Sequence, residues 1–432
     1  MTTPKKYSTI ILGGGLSGLA SAFYLKQKGE KFLLIEKEEQ CGGVIQSFEL
    51  DGAIFDKAAI SFSLTPEIQE MISALGIEDQ LLYPKEQSKN RFIYSANRLH
   101  RLRPSPLSIL TTSLLSWKAK RRLLKESKVS SRSDQNESVA DFIRRRFGNE
   151  LYEKIGNAVM GGIYAGDPEQ MEAAFVLKRF VDLEKKYGSL TKSMKAEKGR
   201  NKRISVSFKK GTQDLTKALE KYANECILCN TSIEKIVRKD GHWEIQCESE
   251  TYQTERIISC LPSYVLANVL DGFEDEKKRL LDIRYCQVTL LHLLYSNQAI
   301  GMNPNGFGFL IPKKEEKPIL GAVMNSTIFK GRVKEDQTAI TLFIGDQNFD
   351  NHSKENIKEA QRFLEETLQI KGEALTKEIT YWPKAIPQFH MGYSENIEVL
   401  KSRFAKEDFI LNGNYVSGVS VGDVIKYAKD LI

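Results

Sequence analysis

The sequence predicts an α/β fold that opens with a parallel β-α-β unit. Three observations predict it: an apolar run at residues 7–12, apolar residues at helical spacing over residues 16–28, and a second apolar run at residues 32–35. The glycine-rich residues 13–18 join the first run to the helix. Short apolar strands that flank a helix are typical of a parallel sheet that is covered on both faces.

Length and composition limit the class of protein. At 432 residues the chain is longer than one hydrophobic core usually supports, so two or three domains are expected. Hydrophobic residues make up 41% and charged residues 28%, which excludes a disordered or fibrous chain. The net charge of +7 is modest and does not indicate nucleic-acid binding.

The cysteines and the apolar runs bear on the compartment. Six cysteines are too few for a disulfide scaffold and fit a reducing compartment. Cys226 and Cys229 form a CxxC pair without a second pair, so we interpret the pair as structural and predict no metal site. No signal peptide precedes the first strand, and no apolar run reaches the roughly 18 residues that span a bilayer. We expect a protein that is cytoplasmic or lies on the cytoplasmic face of a membrane.

The rest of the chain changes character twice. Residues 65–200 are mainly helical in pattern, with a serine-rich break at residues 127–136. Strands are predicted at residues 204–208, 226–237, 243–247, 257–260 and within 285–344, and helices at residues 354–367 and 419–432.

The loop after the first strand fits the GxGxxG pattern of dinucleotide sites. It reads Gly13-Gly14-Gly15-Leu16-Ser17-Gly18 and leads directly into the helix. Gly13 permits the tight turn, Gly15 lets the backbone approach a pyrophosphate, and Gly18 lets helix and strand pack closely. The helix N-terminus offers free amides to the anion.

Two features after the second strand identify the nucleotide. Glu36 ends that strand, at the distance where a carboxylate accepts hydrogen bonds from ribose hydroxyls. Gly42-Gly43 follows six residues later, an extension that separates FAD proteins of the two-dinucleotide-binding-domain type from ordinary NAD dehydrogenases. No recognisable flavinylation cysteine is present. Non-covalent FAD is therefore the predicted cofactor.

Other segments resemble one family of flavoproteins. Residues 137–148, followed by residues 160–168 with Tyr164-Ala-Gly166-Asp167, are similar to the matching region of the protoporphyrinogen and coproporphyrinogen III oxidases of haem biosynthesis. The resemblance continues through residues 306–312, 320–321, 326–329, 382–388 and 411–419, and it covers essentially the whole chain.

The resemblance implies a domain organisation. It implies a two-dinucleotide-binding-domain FAD fold, which is Rossmann-like and discontinuous, built from residues 1–85, 200–265 and 390–432. An inserted helical, membrane-associating domain is expected at residues 86–199, and an α+β substrate domain at residues 266–389. A homodimer is left open.

It also implies site residues where this sequence matches the family's motifs. FAD contacts would fall on Gly13, Gly14, Gly15, Leu16, Ser17, Gly18, Glu36, Lys37, Gly42, Gly43, Val44, Ile233, Asn414, Val419, Ser420 and Val421. The porphyrinogen would lie near Gly162, Leu310 and Phe329, where a glycine carbonyl accepts from pyrrole N–H groups and apolar side chains sandwich the macrocycle. No protein residue is assigned a catalytic role and no metal is implied, because the flavin is the hydride acceptor.

The implied reaction is the FAD-dependent oxidation of protoporphyrinogen IX to protoporphyrin IX, with oxygen as acceptor and hydrogen peroxide as product. Coproporphyrinogen III oxidation by the same chemistry is the first alternative. A flavin amine oxidase or carotenoid desaturase is the second. A flavin-free binding protein of the GDP-dissociation-inhibitor type is the alternative outside enzymes.

One departure from the family bears on the substrate. Where an arginine pairs a substrate propionate in some members, this chain has Ile60, so Lys57, Arg98 or Arg101 would have to supply the cation. A pocket that is poorer in cations favours the less charged protoporphyrinogen.

Residues 102–124 form a candidate membrane contact. The segment is apolar, contains Trp117 and is flanked by basic residues. Such a segment suits the anionic surface of a membrane, and the alternative is a helix that packs on its own domain.

Overall fold

The computed structural model describes residues 4–103, 105–130, 133, 136–197, 204–345 and 352–432. The strands are β1 Lys5–Leu12, β2 Phe32–Ile35, β3 Ser47–Leu50, β4 Ala53–Asp56, β5 Phe62–Ser63, β6 Leu81–Leu82, β7 Arg91–Ser95, β8 Arg98–Leu102, β9 Ser205–Phe208, β10 Ile227–Leu228, β11 Ile233–Lys239, β12 His242–Cys247, β13 Thr251–Ser259, β14 Tyr285–Ser296, β15 Gly308–Leu310, β16 Gly321–Val323, β17 Gln337–Ile344, β18 Thr376–Pro387 and β19 Phe409–Leu411.

The helices are α1 Leu16–Gln27, α2 Pro66–Leu75, α3 Pro106–Thr111, α4 Trp117–Leu124, α5 Val139–Phe147, α6 Asn149–Leu151, α7 Asn157–Tyr164, α8 Ala173–Val176, α9 Lys178–Tyr187, α10 Leu190–Ala196, α11 Gln213–Ala223, α12 Ser263–Val269, α13 Glu274–Leu281, α14 Asn325–Ile328, α15 Lys354–Thr367, α16 Tyr393–Ala405, α17 Asn414–Ser417 and α18 Val421–Leu431. The predicted opening β-α-β unit and the helix at residues 354–367 are confirmed. Among the described residues, no helix has both the length and the apolar character that crossing a membrane requires.

The first sheet has the strand order β10-β2-β1-β13-β12-β11, and β19 also pairs with β13. Strands β10, β2, β1, β13 and β19 run parallel, while β12 and β11 continue the sheet in antiparallel fashion. β2 is fully buried because α1, α11 and α18 cover one face of the sheet and α12 and α16 cover the other. Parallel pairing brings the carboxyl ends of β1, β2 and β13 to one edge, where ligands bind in such sheets.

The second sheet has the order β18-β14-β17-β16-β15-β7-β8 and is antiparallel except where β15 meets β7. The apolar face of α15 packs on it. The hairpin of β7 and β8 belongs to this sheet, so the segment that was expected to be helical from residue 86 begins with strands. The buried residues Phe92, Ile93 and Tyr94 are the cause, because Phe92 and Ile93 pair with Phe309 and Leu310 of β15. The domain division itself stays a prediction.

The helices from α5 to α10 enclose a separate small core. Phe142, Tyr152 and Leu177 are among its buried members. Arg146 is fully buried there, and its Nε lies 2.9 Å from Glu184 and 3.2 Å from Glu126. Because a buried charge is costly unless it is paired, this ionic cluster fixes how the short helices meet.

A buried ion pair joins the hairpin of β3 and β4 to the second sheet. Asp56, at the end of β4, accepts a 2.7 Å hydrogen bond from Arg332, which precedes β17. The Thr212 amide and the Ser47 hydroxyl donate to the other Asp56 oxygen at 2.7 and 2.6 Å. Both carboxylate oxygens of Asp56 are therefore engaged in packing contacts.

Candidate functional site

A cavity of about 2040 Å³ begins at the carboxyl edge of the first sheet and reaches the second sheet. Of the predicted FAD contacts, the residues on its wall are Gly13, Gly15, Leu16, Ser17, Glu36, Lys37, Gly42, Gly43, Val44, Ile233, Asn414, Val419, Ser420 and Val421. Gly14 and Gly18 lie behind this wall. Residues from three distant parts of the chain therefore meet on the wall of one cavity.

The glycine loop has the geometry that an approaching pyrophosphate requires. Gly13 has φ +94°, a left-handed conformation that favours glycine. A Cβ on Gly18 would lie 1.9 Å from the Gly13 carbonyl oxygen, so only glycine permits the close packing of α1 on β1. A Cβ on Gly15 would meet nothing within 4 Å and would project into open space. Gly15 is the N-cap of α1, whose first amides have no side-chain cap.

Glu36 stands at the end of β2 on the cavity wall, with only 8% of its surface exposed. Its Oε2 accepts from the Gly14 amide at 2.5 Å and its Oε1 accepts from the Glu38 amide at 2.9 Å. Each carboxylate oxygen has a further lone pair, so Glu36 can still accept from a ribose hydroxyl.

The second glycine pair lies directly against the first loop. The Gly42 amide donates to the Gly14 carbonyl at 2.8 Å, and a Cβ on Gly43 would lie 3.1 Å from the Gly15 Cα. Both glycines have positive φ. Side chains at these positions would distort the two loops that bound the cavity. This cradle, with Glu36 at one side and a free helix N-terminus at the other, fits FAD.

The opposite part of the wall comes from the end of the chain. Ser420 caps α18 by accepting from the Asp423 amide, and the first turn of this helix lines the cavity beside Asn414 and Val419. α18 packs on α1, so the glycine loop and the last helix of the chain are held together by one core.

The predicted substrate contacts are brought together only in part. Gly162 and Leu310 line the cavity, and a Cβ on Gly162 would lie 2.5 Å from Leu310 Cδ2. Phe329 does not line it. α14 turns the chain so that Phe329 is 2% exposed, packed on Ile60 and under the Arg332 guanidinium, 5.3 Å from its ring.

Two aromatic residues that pack against the same cluster as Phe329 do face the cavity. Phe307 and Phe343 are both on the cavity wall. Phe307 stands in the same glycine-rich motif, residues 306–312, that led to the choice of Leu310. The sequence signal that could have identified Phe307 is its position between two glycines at the start of a strand.

Of the three cations expected from the sequence, Lys57 alone lines the cavity. Arg98 and Arg101 are exposed on β8 and are not part of the wall, whereas Lys57, Arg91 and Arg103 are. Burial lowers the pKa of Arg91 to about 10, so it stays charged at neutral pH. Its guanidinium lies 3.8 Å from the centre of the Phe307 ring.

Neither Arg91 nor Arg103 forms an ion pair with any residue that the structure describes. Arg91 donates to the Ser88 carbonyl, and Arg103 Nε donates to Asn90 Oδ1 at 3.0 Å. Arg91 pairs with Leu102 across the β7–β8 hairpin, so Arg103 is one residue from its register partner. The two guanidinium groups can therefore bind carboxylates that enter at the same end of the cavity.

The chain is similar to proteins of known family over nearly its whole length. Residues 16–428 match the family described as flavin containing amine oxidoreductase. The chain is 28% identical to protoporphyrinogen oxidase 2 of Arabidopsis thaliana, over 96% of this chain and 91% of that protein. It is 24% identical to coproporphyrinogen III oxidase of Bacillus subtilis, over 99% of this chain and 97% of that protein.

Solved structures show the same fold. A crystal structure from Exiguobacterium sp. 255-15, assigned to the protoporphyrinogen oxidases, has a TM-score of 0.81 at 20% identity, covering 100% of this chain and 98% of that one. Reduced UDP-galactopyranose mutase has a TM-score of 0.77 at 15% identity, covering 99% and 94%. The predicted FAD fold is thereby confirmed. Because the family match spans nearly the whole chain and the cradle fits the cofactor, the protein belongs to the flavin containing amine oxidoreductases and is an FAD-dependent oxidoreductase.

Proposed function

We propose that the protein oxidises protoporphyrinogen IX to protoporphyrin IX, with oxygen as electron acceptor and hydrogen peroxide as product. The observation that carries the proposal is the cavity itself, which joins an FAD cradle to an apolar chamber with two arginines that lack acidic partners. Relatives over nearly the full length carry the names protoporphyrinogen oxidase and coproporphyrinogen III oxidase, which supports a porphyrinogen as the substrate.

The walls of the chamber suit a large, flat and mostly apolar ring. Leu310, Val323 and Phe343 contribute apolar surface from neighbouring strands of the second sheet. Gly162 lies in the last turn of α7, where helix carbonyls have no onward partner, so its oxygen can accept from a pyrrole N–H. Apolar faces and a few placed polar groups are typical of small-molecule sites.

Arg91 and Arg103 would hold the propionate groups. A carboxylate that leaves water needs a charged or hydrogen-bonding partner, and a guanidinium can bind it with two parallel hydrogen bonds. Protoporphyrinogen carries two propionates and coproporphyrinogen carries four. Two unpaired arginines at one end of the cavity therefore favour protoporphyrinogen.

Bound FAD supplies the two-electron oxidation chemistry. The residues of the chain bind and orient the substrate: the arginines fix the propionate edge, and the apolar walls fix the plane of the ring. Holding a reacting carbon near the cofactor is itself a large part of catalysis. The same walls exclude water from the reacting face.

We also propose a peripheral contact with the cytoplasmic face of a membrane through residues 102–124. Trp117 is 80% exposed, and Leu107 and Leu124 are also exposed, beside the basic residues of α4. Leu102, Arg103 and Ile109 of this segment also line the cavity, so a porphyrinogen could enter from the membrane surface. Cytoplasmic leaflets are anionic, which suits these cations.

The test is aerobic turnover. The flavin-loaded protein is incubated with protoporphyrinogen IX and, separately, with coproporphyrinogen III, while porphyrin fluorescence and peroxide are followed. We expect higher kcat/KM on protoporphyrinogen. Arg91→Leu should lose about 10–100-fold of it, since a hydrogen-bonded charge contributes about 1.5–3 kcal/mol. Arg98→Leu, a cation on the same hairpin outside the cavity wall, is the matched control and should be unchanged.

Two results would contradict the proposal. No turnover of either porphyrinogen, with turnover of an amine, would remove the substrate assignment. Equal losses of kcat/KM in Arg91→Leu and Arg98→Leu would contradict the assignment of Arg91 to a carboxylate site. They would not bear on the FAD site.

A further inference from the structure

Cys229, the second cysteine of the CxxC motif, is grouped with Cys41 and not with Cys226. Cys41 Sγ, Cys229 Sγ and a carboxylate oxygen of Glu220 all lie within 4.8 Å of one another. Within the described residues, it is the one group of three His, Cys, Asp or Glu side chains that are close enough together to bind a single metal ion. All three side chains are half-buried. Cys226, the other member of the CxxC pair, is not part of the group.

Backbone pairing brings the three residues together. β10 pairs with β2, and the Asn230 amide donates to the Glu38 carbonyl at 3.0 Å, which places Cys229 beside the loop that follows β2. The Cys41 amide donates to Glu220 Oε1 at 2.8 Å and orients the carboxylate on α11. The group is therefore held in place before any ligand binds.

We propose that Cys41, Cys229 and Glu220 form a binding site for a thiophilic divalent cation such as Zn²⁺, with a fourth position left to water. Two thiolates and one carboxylate are ligands that zinc accepts in tetrahedral geometry, whereas Mg²⁺ and Ca²⁺ prefer oxygen alone. Binding replaces the two thiol protons with two sulfur–metal bonds and releases those protons to solvent, with no change of oxidation state.

The electrostatics of the region support a cation. Neither Glu220 nor Glu36 forms an ion pair among the described residues. The two carboxylates therefore place negative charge beside the thiols without a basic partner among the described residues. A divalent cation would neutralise it.

The site lies against the FAD cradle. A Cβ on Gly14 would lie 2.5 Å from Cys41 Sγ and 3.0 Å from Glu36 Oε2, so the thiol packs on the glycine loop. A bound cation would hold the loop of residues 36–43 to α11 and β10. We therefore expect occupancy to slow the release of FAD. The proposal is independent of which substrate the enzyme oxidises.

The experiment uses flavin-loaded protein that has been reduced and desalted. Zn²⁺ affinity is measured by competition with a chromophoric zinc indicator, and alkylation of each cysteine is mapped by mass spectrometry with and without Zn²⁺. Cys41→Ser, Cys229→Ser and Glu220→Gln should each lower the affinity by more than the roughly 10–100-fold that outer partners of metal ligands contribute. Cys226→Ser is the matched control and should bind as the wild type does.

Zn²⁺ should protect Cys41 and Cys229 from alkylation and leave Cys226 reactive, and Mg²⁺ should protect neither. Glu220→Gln keeps an acceptor for the Cys41 amide, so it tests ligation in a chain that still folds and retains FAD. Equal affinity in Cys229→Ser and Cys226→Ser would overturn the proposal. So would protection by Mg²⁺, or a Cys41–Cys229 disulfide in the untreated protein with no Zn²⁺ uptake after reduction.

Discussion

The two ends of the cavity are built in different ways. At the FAD end the wall is backbone: Gly13, Gly15 and Gly43 matter because they lack side chains, and they stand close together in the sequence. At the other end, the proposed substrate end, the wall consists of side chains such as Arg91 and Phe343, which come from separate strands of the second sheet. A site made by backbone leaves a local sequence pattern, whereas one made by side chains depends on how distant strands pair.

The largest loss of stability is expected from breaking the buried ion pair between Asp56 and Arg332. Asp56→Ala leaves the buried Arg332 guanidinium without its anion, and breaking one partner of a buried pair costs about 3–5 kcal/mol. Chemical denaturation should show the loss. Lys5→Ala breaks an exposed pair with Glu250 at the same 2.7 Å and should cost about 1 kcal/mol or less. Similar losses in the two variants would mean that the ends are not coupled through this pair.

The ion pair between Asp56 and Arg332 could not be predicted from the sequence. Nothing in the sequence around Asp56 indicates its partner Arg332, which lies 276 positions further along. The helical pattern from residue 65 likewise missed β7 and β8, since the pairing of β7 with β15 depends on a strand more than 200 positions further along the chain. By contrast the glycine loops, Glu36 and helix α15 were predicted with nearly correct bounds, because glycine spacing and apolar periodicity are local properties. Phe329 was misplaced because a side chain's direction after a short helix cannot be read from its motif.

A smaller loss of stability is expected at one glycine of the first loop, and a loss of FAD binding at another. Gly18→Val should destabilise the protein by about 3 kcal/mol, the upper part of the usual range for overpacking, because its Cβ would clash with the Gly13 carbonyl. Gly15→Val should fold with little loss but fail to retain FAD, because its side chain would occupy the cavity. Thermal unfolding and the flavin absorbance of the purified variants measure the two quantities separately. Retention of FAD by Gly15→Val would remove the assigned pyrophosphate position.

The pH dependence of stability tests the packing of the β3–β4 hairpin on the second sheet. His292 of β14 is fully buried, hydrogen-bonded to Thr341 and Thr380, and packed edge-on against Phe48 and Phe55 of the β3–β4 hairpin. Burial, with a contribution from Lys57, lowers its pKa from 6.5 to about 3. The unfolded chain therefore takes up the proton first as the pH falls, so stability is lost from about pH 6.5 down to about pH 3 and is unaffected above.

Between pH 6 and pH 5 this amounts to about 1 kcal/mol. Urea unfolding at pH 7, 6 and 5 measures it, and His292→Gln should have a correspondingly flatter profile. An identical profile in the variant would assign the acid sensitivity to other groups.

The smallest effect concerns the surface beside the substrate end. If residues 102–124 touch a membrane, Trp117→Ser should weaken flotation with anionic vesicles by about three- to fivefold, since one partly buried side chain contributes about 1 kcal/mol or less. Phe180→Ser, an exposed aromatic on α9 outside this segment, is the control. Leu114 is 4% exposed and packs in the protein, so it is unsuited to this test. The basic residues of α4 add an electrostatic component that higher salt should weaken in both variants alike. Equal flotation of Trp117→Ser and Phe180→Ser would mean that the substrate end opens to water rather than to lipid.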